Sequence, residues 1–171
     1  MKSLGQAIFL LIVCVFSIPA QDNLPRFEDY EVSLYRGKTH LPKWISRGSE
    51  GEWRDDLGKL VDSPEVNFAG KYFVAAHSCG TGCRYYTMTD LSSGRELKAL
   101  EDFTTAEPPP KTSDGYEYLT ILYYRADSKM LVAQYLVDLK RGREQCRERA
   151  FLFENGKLKA ITKTRRSCSK F

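Results

Sequence analysis

The sequence predicts an all-β fold, a mainly antiparallel meander built as a sandwich or bent sheet of about seven or eight strands with one short N-terminal helix. Residues 72–78 and 84–90 are apolar or alternating runs, which are typical of paired strands. Near the end of the chain, Asn155-Gly156 separates two further runs and is a strong hairpin signal. The composition, 42% hydrophobic and 28% charged, is that of a folded globular protein.

The beginning of the chain is typical of a secretory signal peptide. Lys2 provides the positive start, residues 7–18 are apolar, and cleavage is expected after Ala20. The apolar run is shorter than the roughly 20 residues that span a membrane, and no later run approaches that length. We therefore expect an exported protein of the periplasm or extracellular space, without a transmembrane segment, in which residues 21–171 form a single β-rich domain.

Four cysteines follow the predicted signal peptide: Cys79, Cys83, Cys146 and Cys168. In an exported protein this number favours two disulfide bonds over free thiols. Three pairings are possible. We favour Cys79–Cys83 with Cys146–Cys168, because a predicted turn brings each of these pairs close together.

The N-terminal third is predicted to contain a strand, a loop and the helix. Residues 31–36 alternate and form the candidate first strand. Ser49 can cap a helix that begins there, and Glu52 completes a capping box. The helix should end at Ser63, since the residue before a proline is disfavoured in helical geometry. Its apolar stripe would consist of Trp53, Leu57, Leu60 and Val61.

The middle and end of the chain contain an internal repeat. The pattern D-L-x-x-G-R-E occurs at 90–96 and again at 138–144. Each copy follows a predicted pair of long strands and precedes a third strand, so the repeated unit is a three-stranded meander. Propellers need about four or more such units, which favours a sandwich or bent meander here. The second strand pair is 116–125 with 130–138, a Pro-rich exposed linker spans 104–115, and the last hairpin is 146–153 with 158–164.

The residues that could support catalysis are few. His77 with Cys79 or Cys83 could form a nucleophile pair, but cysteines in an exported turn are normally oxidised. The spacing C-x-x-x-C between strands differs from the C-x-x-C at a helix start that redox proteins use. Paired C-x-x-C spacings for zinc are also missing from the sequence. We therefore expect no metal or cofactor, and we favour a non-catalytic protein over an enzyme.

Three features are candidates for binding. The turn Gly80-Thr81-Gly82 could present backbone N–H groups to an anion, or it could be only a turn closed by its disulfide. Adjacent tyrosines must point to opposite sheet faces, which leaves one of each pair for an outer surface. Residues 140–171 contain eleven Lys and Arg against three Glu, and this basic end could steer an acidic partner or simply keep an edge hairpin soluble. The candidate binding residues are His77, Gly80, Thr81, Gly82, Tyr85, Tyr86, Arg141, Arg143, Arg147 and Arg149.

Part of the chain resembles an uncharacterised family of exported bacterial proteins with the signature N-F-A-G-x-Y…C-G-x-x-C…D-x-x-x-G. The matching residues are 67–72, 79–83 and 90–94, and the resemblance covers roughly 51–100. It implies export from a bacterium and a β-rich fold, without an established activity. The family has an aromatic residue and a glycine before the first cysteine, where this chain has His77-Ser78.

These observations favour an exported, non-catalytic binding protein, such as an inhibitor or immunity-type protein that acts on another protein. One alternative is an envelope thiol, redox or Cys-dependent enzyme that uses the Cys79–Cys83 turn. Another is a structural accessory of the cell envelope, with its basic end on an anionic polymer or lipid. The partner we expect is an unidentified protein, and we expect no nucleic-acid partner.

Overall fold

The computed structural model describes residues 24–105 and 108–171. The predicted signal peptide lies outside these residues. Ten strands form three antiparallel sheets, and helical structure among the described residues is limited to two one-turn 3-10 helices, Phe27–Tyr30 and Glu101–Phe103. The all-β class is therefore confirmed. No described helix is long and apolar enough to cross a membrane.

The three sheets are formed by consecutive strands. The small first sheet has the order β1-β2-β3, the second β4-β5-β6, and the third β10-β9-β8-β7. The bounds are β1 Ser46–Arg47, β2 Trp53–Arg54, β3 Leu60–Val61, β4 Tyr72–Gly80, β5 Cys83–Asp90, β6 Arg95–Leu97, β7 Tyr118–Tyr124, β8 Met130–Asp138, β9 Glu144–Glu154 and β10 Lys157–Ala160. The two predicted meander units are thus present as the second and third sheets.

The two larger sheets pack against each other around the main core. The second sheet contributes Val74, Tyr86 and Met88, and the third contributes Leu122 and Leu131, among others. These side chains alternate along their strands with residues of the opposite face, as the period of a strand requires. Both outer faces are covered as well, by residues near Trp44 on the second sheet and by both ends of the described chain on the third.

The predicted helix at 49–63 is wrong, because this stretch contains β2, β3 and their connecting turn. The Asp55 side chain accepts hydrogen bonds from the backbone N–H groups of Leu57 and Lys59, which closes a turn that competes with a helix. Glu52 accepts a hydrogen bond from the N–H of Glu50 and does not complete a capping box. Leu57 and Leu60, two members of the predicted apolar stripe, are 57% and 66% exposed.

Two further predictions need correction: the first strand at 31–36 and the exposed linker at 104–115. The predicted first strand, 31–36, forms only one isolated bridge, between Glu31 and Ser128, and its other backbone bonds go to loops. The linker is not a free, exposed segment, since Thr105 is buried and pairs with Arg84 of β5. Residues 106 and 107 lie outside the described part of the chain.

Candidate functional site

The turn between β4 and β5 is closed by a disulfide bond. Cys79 and Cys83 form the disulfide, with their Cα atoms 5.1 Å apart, as predicted. The strand pairing shifts between Ser78 and Gly80, and the φ angles of Gly80 and Gly82 are 135° and 74°. Side chains other than glycine rarely adopt such angles. The two glycines therefore make this tight covalent loop possible.

This closed turn projects into solvent. Cys79, Gly80, Thr81 and Gly82 are exposed. A Cβ atom built on Gly80 or Gly82 would meet no other heavy atom within 4 Å. The space beside both glycines is therefore open, and the turn presents its backbone at the surface.

A buried polar network supports the base of the turn. His77, two positions before Cys79, is 2% exposed, and its Nδ1 lies 2.9 Å from Asp55 Oδ2. Its Nε2 lies 2.9 Å from Thr87 Oγ1. An ionised carboxylate only accepts hydrogen bonds, so Nδ1–H donates to Asp55, and Nε2 forms the hydrogen bond with the Thr87 hydroxyl. The network connects β4, β5 and the β2–β3 turn.

Aromatic rings enclose the imidazole of His77. Tyr85 stacks on it with 4.4 Å between ring centroids and an angle of 7° between planes. Trp44 meets the ring edge-on at 4.7 Å. The order carboxylate, imidazole, hydroxyl also occurs in hydrolytic triads. Here the imidazole is covered, and we interpret the network as a structural support for the turn.

The Asp55 carboxyl remains ionised within this network. Burial raises its pKa, but hydrogen bonds from the His77 side chain and the N–H groups of Lys59 and Leu57 outweigh this effect. The net result is a pKa below the usual value. Sequence reasoning did not identify Asp55, because the misassigned helix placed it on a helical surface.

A Cys-dependent nucleophile at the turn would need a free thiolate. Cys79 and Cys83 are joined, so neither is a free thiolate that His77 could activate. Within residues 24–105 and 108–171, no group of three or more His, Cys, Asp or Glu residues is arranged to hold a metal ion.

The adjacent tyrosines of β5 point to opposite faces, as their sequence positions require. Tyr86 is 7% exposed in the main core, and its hydroxyl donates to the carbonyl oxygen of Thr120 at 3.0 Å. Tyr85 lies on the other face and is partly buried over His77. Of this predicted binding pair, only Tyr85 lies beside the turn with part of its surface exposed.

The four predicted arginines divide into two pairs. Arg141 and Arg143 are exposed in the loop between β8 and β9. Arg147 and Arg149 lie further along β9 and are engaged within the protein: Arg147 forms two hydrogen bonds with Asp114, and Arg149 donates to the carbonyl oxygen of Thr162. The structure thus leaves Arg141 and Arg143 as the freely exposed cations of this set.

The C-terminal segment is fixed across the outer face of the third sheet. Cys146 and Cys168 form the second predicted disulfide, with Cα atoms 5.7 Å apart. The fully buried carboxylate of Glu148 accepts hydrogen bonds from the backbone N–H and the hydroxyl of Ser169, and it pairs with Arg165 at 3.4 Å. Sequence reasoning missed Glu148, although strand alternation places it on the same face as Cys146.

Comparisons with known proteins do not assign this chain to a family. No family model and no solved structure match it. A segment is 37% identical over 79 residues to GTPase Der of Methylococcus capsulatus, and the match covers 40% of this chain. It covers 17% of that protein, so the chain spans less than a fifth of the length of this relative. The functional conclusion therefore depends on the geometry of the site.

Proposed function

We propose that this protein is an exported, periplasmic or extracellular, non-catalytic binding protein of the inhibitor or immunity type, and that it acts on another protein. The observation that carries the proposal is the exposed turn closed by Cys79 and Cys83, in which Gly80 and Gly82 have open space where a Cβ atom would lie. The resemblance of residues 67–94 to a signature of exported bacterial proteins, noted from the sequence, supports the same proposal.

A rigid, exposed loop is well suited to binding a protein. A loop that already has its bound conformation loses little conformational entropy on association. The disulfide fixes the loop covalently, and the network of His77 with Asp55 and Thr87 fixes its base. Thr81 lies at the tip with its side chain exposed, where it would enter the partner's surface first.

The same geometry makes the two alternatives less favourable. A thiol enzyme would need a free, activated thiolate, whereas the turn cysteines are paired and His77 is enclosed by aromatic rings. An envelope accessory would use a continuous basic surface, whereas Arg147 and Arg149 are engaged in contacts within the protein. A protein partner that binds the exposed turn requires neither a free thiolate nor a continuous basic surface.

The experiment is affinity capture from a periplasmic extract of the source bacterium, followed by mass spectrometry and a binding titration with the purified partner. Three baits are compared: the wild type, Thr81→Lys at the tip of the turn, and Lys163→Glu as an exposed control. The proposal predicts a stoichiometric partner that the wild type and the control retain and that Thr81→Lys binds at least tenfold more weakly. Signal-dependent export is checked in parallel by fractionation.

Two results would overturn the proposal. Equal partner binding by the wild type and Thr81→Lys would remove the turn as the site. Catalysis of disulfide exchange in insulin by the wild type, abolished in a variant with both Cys79→Ser and Cys83→Ser, would instead establish the thiol-enzyme alternative.

A further inference from the structure

A second candidate site lies on the third sheet, and one of its residues, Tyr118, also lines a smaller cavity with Gly82 of the turn. Two neighbouring cavities of about 330 and 360 Å³ share the side chains of Tyr118 and Tyr135. We name the combined depression the tyrosine groove. Its first cavity is lined by Tyr118 and Tyr135 together with Thr112, Ser113, Arg147 and Thr164, and also by Lys111. Volumes of this size are in the range of small-ligand sites.

Two aromatic rings lie at the centre of the tyrosine groove. Tyr118 and Tyr135 pack edge to face, with ring centroids 5.3 Å apart and an angle of 87° between planes. Both side chains are partly exposed, and each combines an apolar ring with a hydroxyl group. Burial raises the pKa of Tyr135 to about 12, so its hydroxyl remains protonated and can donate a hydrogen bond.

Arg147 provides fixed hydrogen-bond donors at the edge of the rings. Its Nη1 and Nη2 each donate to one oxygen of Asp114 at 2.8 Å, and its Nε donates to Gln145 at 2.8 Å. A guanidinium group carries five N–H donors, so two N–H groups remain available. The hydroxyl groups of Thr112, Ser113 and Thr164 line the same cavity.

The charges around the tyrosine groove are compensated. Asp114 neutralises Arg147, and the hydrogen bonds from Arg147 and Thr112 hold the pKa of the Asp114 carboxyl well below its usual range. Lys111 is paired with Glu117 at 3.8 Å, and Lys98, in the second cavity, is paired with Glu101 at 3.4 Å. The second cavity is also lined by one further residue of each sign, Lys157 and Asp102. The lining as a whole therefore offers a phosphate or sulfate ligand little net positive charge.

We propose that the tyrosine groove binds a neutral oligosaccharide. The C–H faces of sugar rings pack on aromatic side chains, and sugar hydroxyls both donate and accept hydrogen bonds. The groove offers both kinds of contact in one place: partly exposed tyrosine rings, a fixed guanidinium group and several hydroxyl groups. Its two cavities on either side of the tyrosine pair fit consecutive sugar units better than a single compact molecule.

The test is a calorimetric titration of the mature protein with three neutral tetrasaccharides: chitotetraose, cellotetraose and maltotetraose. We expect saturable binding of at least one of them, with little dependence on salt. Tyr135→Ala should weaken this binding at least tenfold, whereas Tyr35→Ala, at a partly exposed tyrosine outside the groove, should leave it unchanged. Thermal denaturation establishes that each variant is folded.

Asp114→Asn provides a second test that does not disturb the rings. Removal of the carboxylate leaves the charge of Arg147 uncompensated, so binding of a sulfated tetrasaccharide should increase several-fold. The proposal is overturned if none of the neutral tetrasaccharides binds, if Tyr135→Ala binds as well as the wild type, or if the wild type binds only the sulfated probe or inorganic phosphate. Thr81→Lys should not affect sugar binding, so this outcome is independent of the function proposed for the turn.

Discussion

The Nδ1 nitrogen of His77 lies 2.9 Å from the Oδ2 oxygen of Asp55, although the two residues are 22 positions apart in the chain. Both side chains are almost completely buried. This hydrogen bond connects the strand that leads into the disulfide-closed turn with a hairpin of the first, small sheet. It also gives the fold a specific sensitivity to acid.

Acid should reduce the stability of the protein through Asp55, whose pKa is lowered in the folded state. A carboxyl with a lowered folded-state pKa contributes stability above its unfolded-state pKa of about 3.9, and this contribution is lost as the pH falls through the folded-state value. We expect the urea midpoint to decrease below about pH 4 for this reason. Asp55→Asn should be less stable at neutral pH and should lose less stability on acidification.

Asp90 complicates this measurement in a predictable way. Burial raises the pKa of Asp90, but hydrogen bonds from Lys71 and Ser92 lower it by more than burial raises it. The pKa of Asp90 therefore also lies below the usual value. Asp55→Asn should therefore retain part of the acid sensitivity. Identical pH profiles for the wild type and Asp55→Asn would contradict the role assigned to Asp55.

His77→Ala should destabilise the protein more than Thr87→Val. Loss of the imidazole leaves the buried Asp55 carboxylate without its side-chain partner, which costs about 3 kcal/mol in unfolding free energy. Thr87→Val preserves the shape of the side chain and removes one hydrogen bond, which costs about 1 kcal/mol. Chemical denaturation followed by circular dichroism measures both. If His77→Ala and Thr87→Val lowered the unfolding free energy equally, the hydrogen bond to Asp55 would not be the main contact of His77.

The two disulfide bonds should differ in their effects on stability and binding. Cys79–Cys83 joins residues 4 positions apart and Cys146–Cys168 joins residues 22 apart. On loop length alone, the second should stabilise the fold by about 1–2 kcal/mol more. The Ser variant of the turn pair should remain folded with weakened partner binding, and that of the second pair should melt at a lower temperature with less effect on binding. Unfolding of the turn variant would remove the site of the proposed function.

The exposed arginines should affect the rate of association. Arg141 and Arg143 are free to attract an acidic partner, so Arg141→Gln with Arg143→Gln should slow association and reduce its dependence on salt. The dissociation rate should change little. Stopped-flow mixing with the captured partner measures both rates. A rate of association that is independent of salt in the wild type would assign these arginines to solubility alone.

The longer strands were predictable because alternation and glycine turns are local signals. The predicted strand 130–138 coincides with β8, and 72–78 and 84–90 lie within β4 and β5. The helix prediction failed at Asp55, where a side chain that closes a local turn also forms a buried hydrogen bond to His77. A helical pattern in the sequence carries no information about a partner 22 positions away.

The internal repeat was also predictable only in part. Both copies of D-L-x-x-G-R-E connect antiparallel strands, as predicted, but Asp90 pairs with Arg95 whereas Asp138 pairs with Glu144. The second connection thus contains one more residue, and Lys140 and Arg141 in it adopt positive φ angles. The two copies share the same Asp, Leu, Gly, Arg and Glu, yet their strands pair in different registers. The motif residues alone therefore do not determine the register.

The sequence by itself determined the β class and the order of the main strands, and it favoured the two disulfide pairings that the structure contains, because periodicity, turn residues and cysteines next to turns act over short distances. Tertiary structure decided which polar groups meet: Asp55 with His77, Glu148 with Ser169, and Arg147 with Asp114 beside two tyrosines. These contacts join segments that are distant along the chain. They form only when the sheets pack, since burial then makes each unpaired polar group costly and favours its pairing with one particular partner.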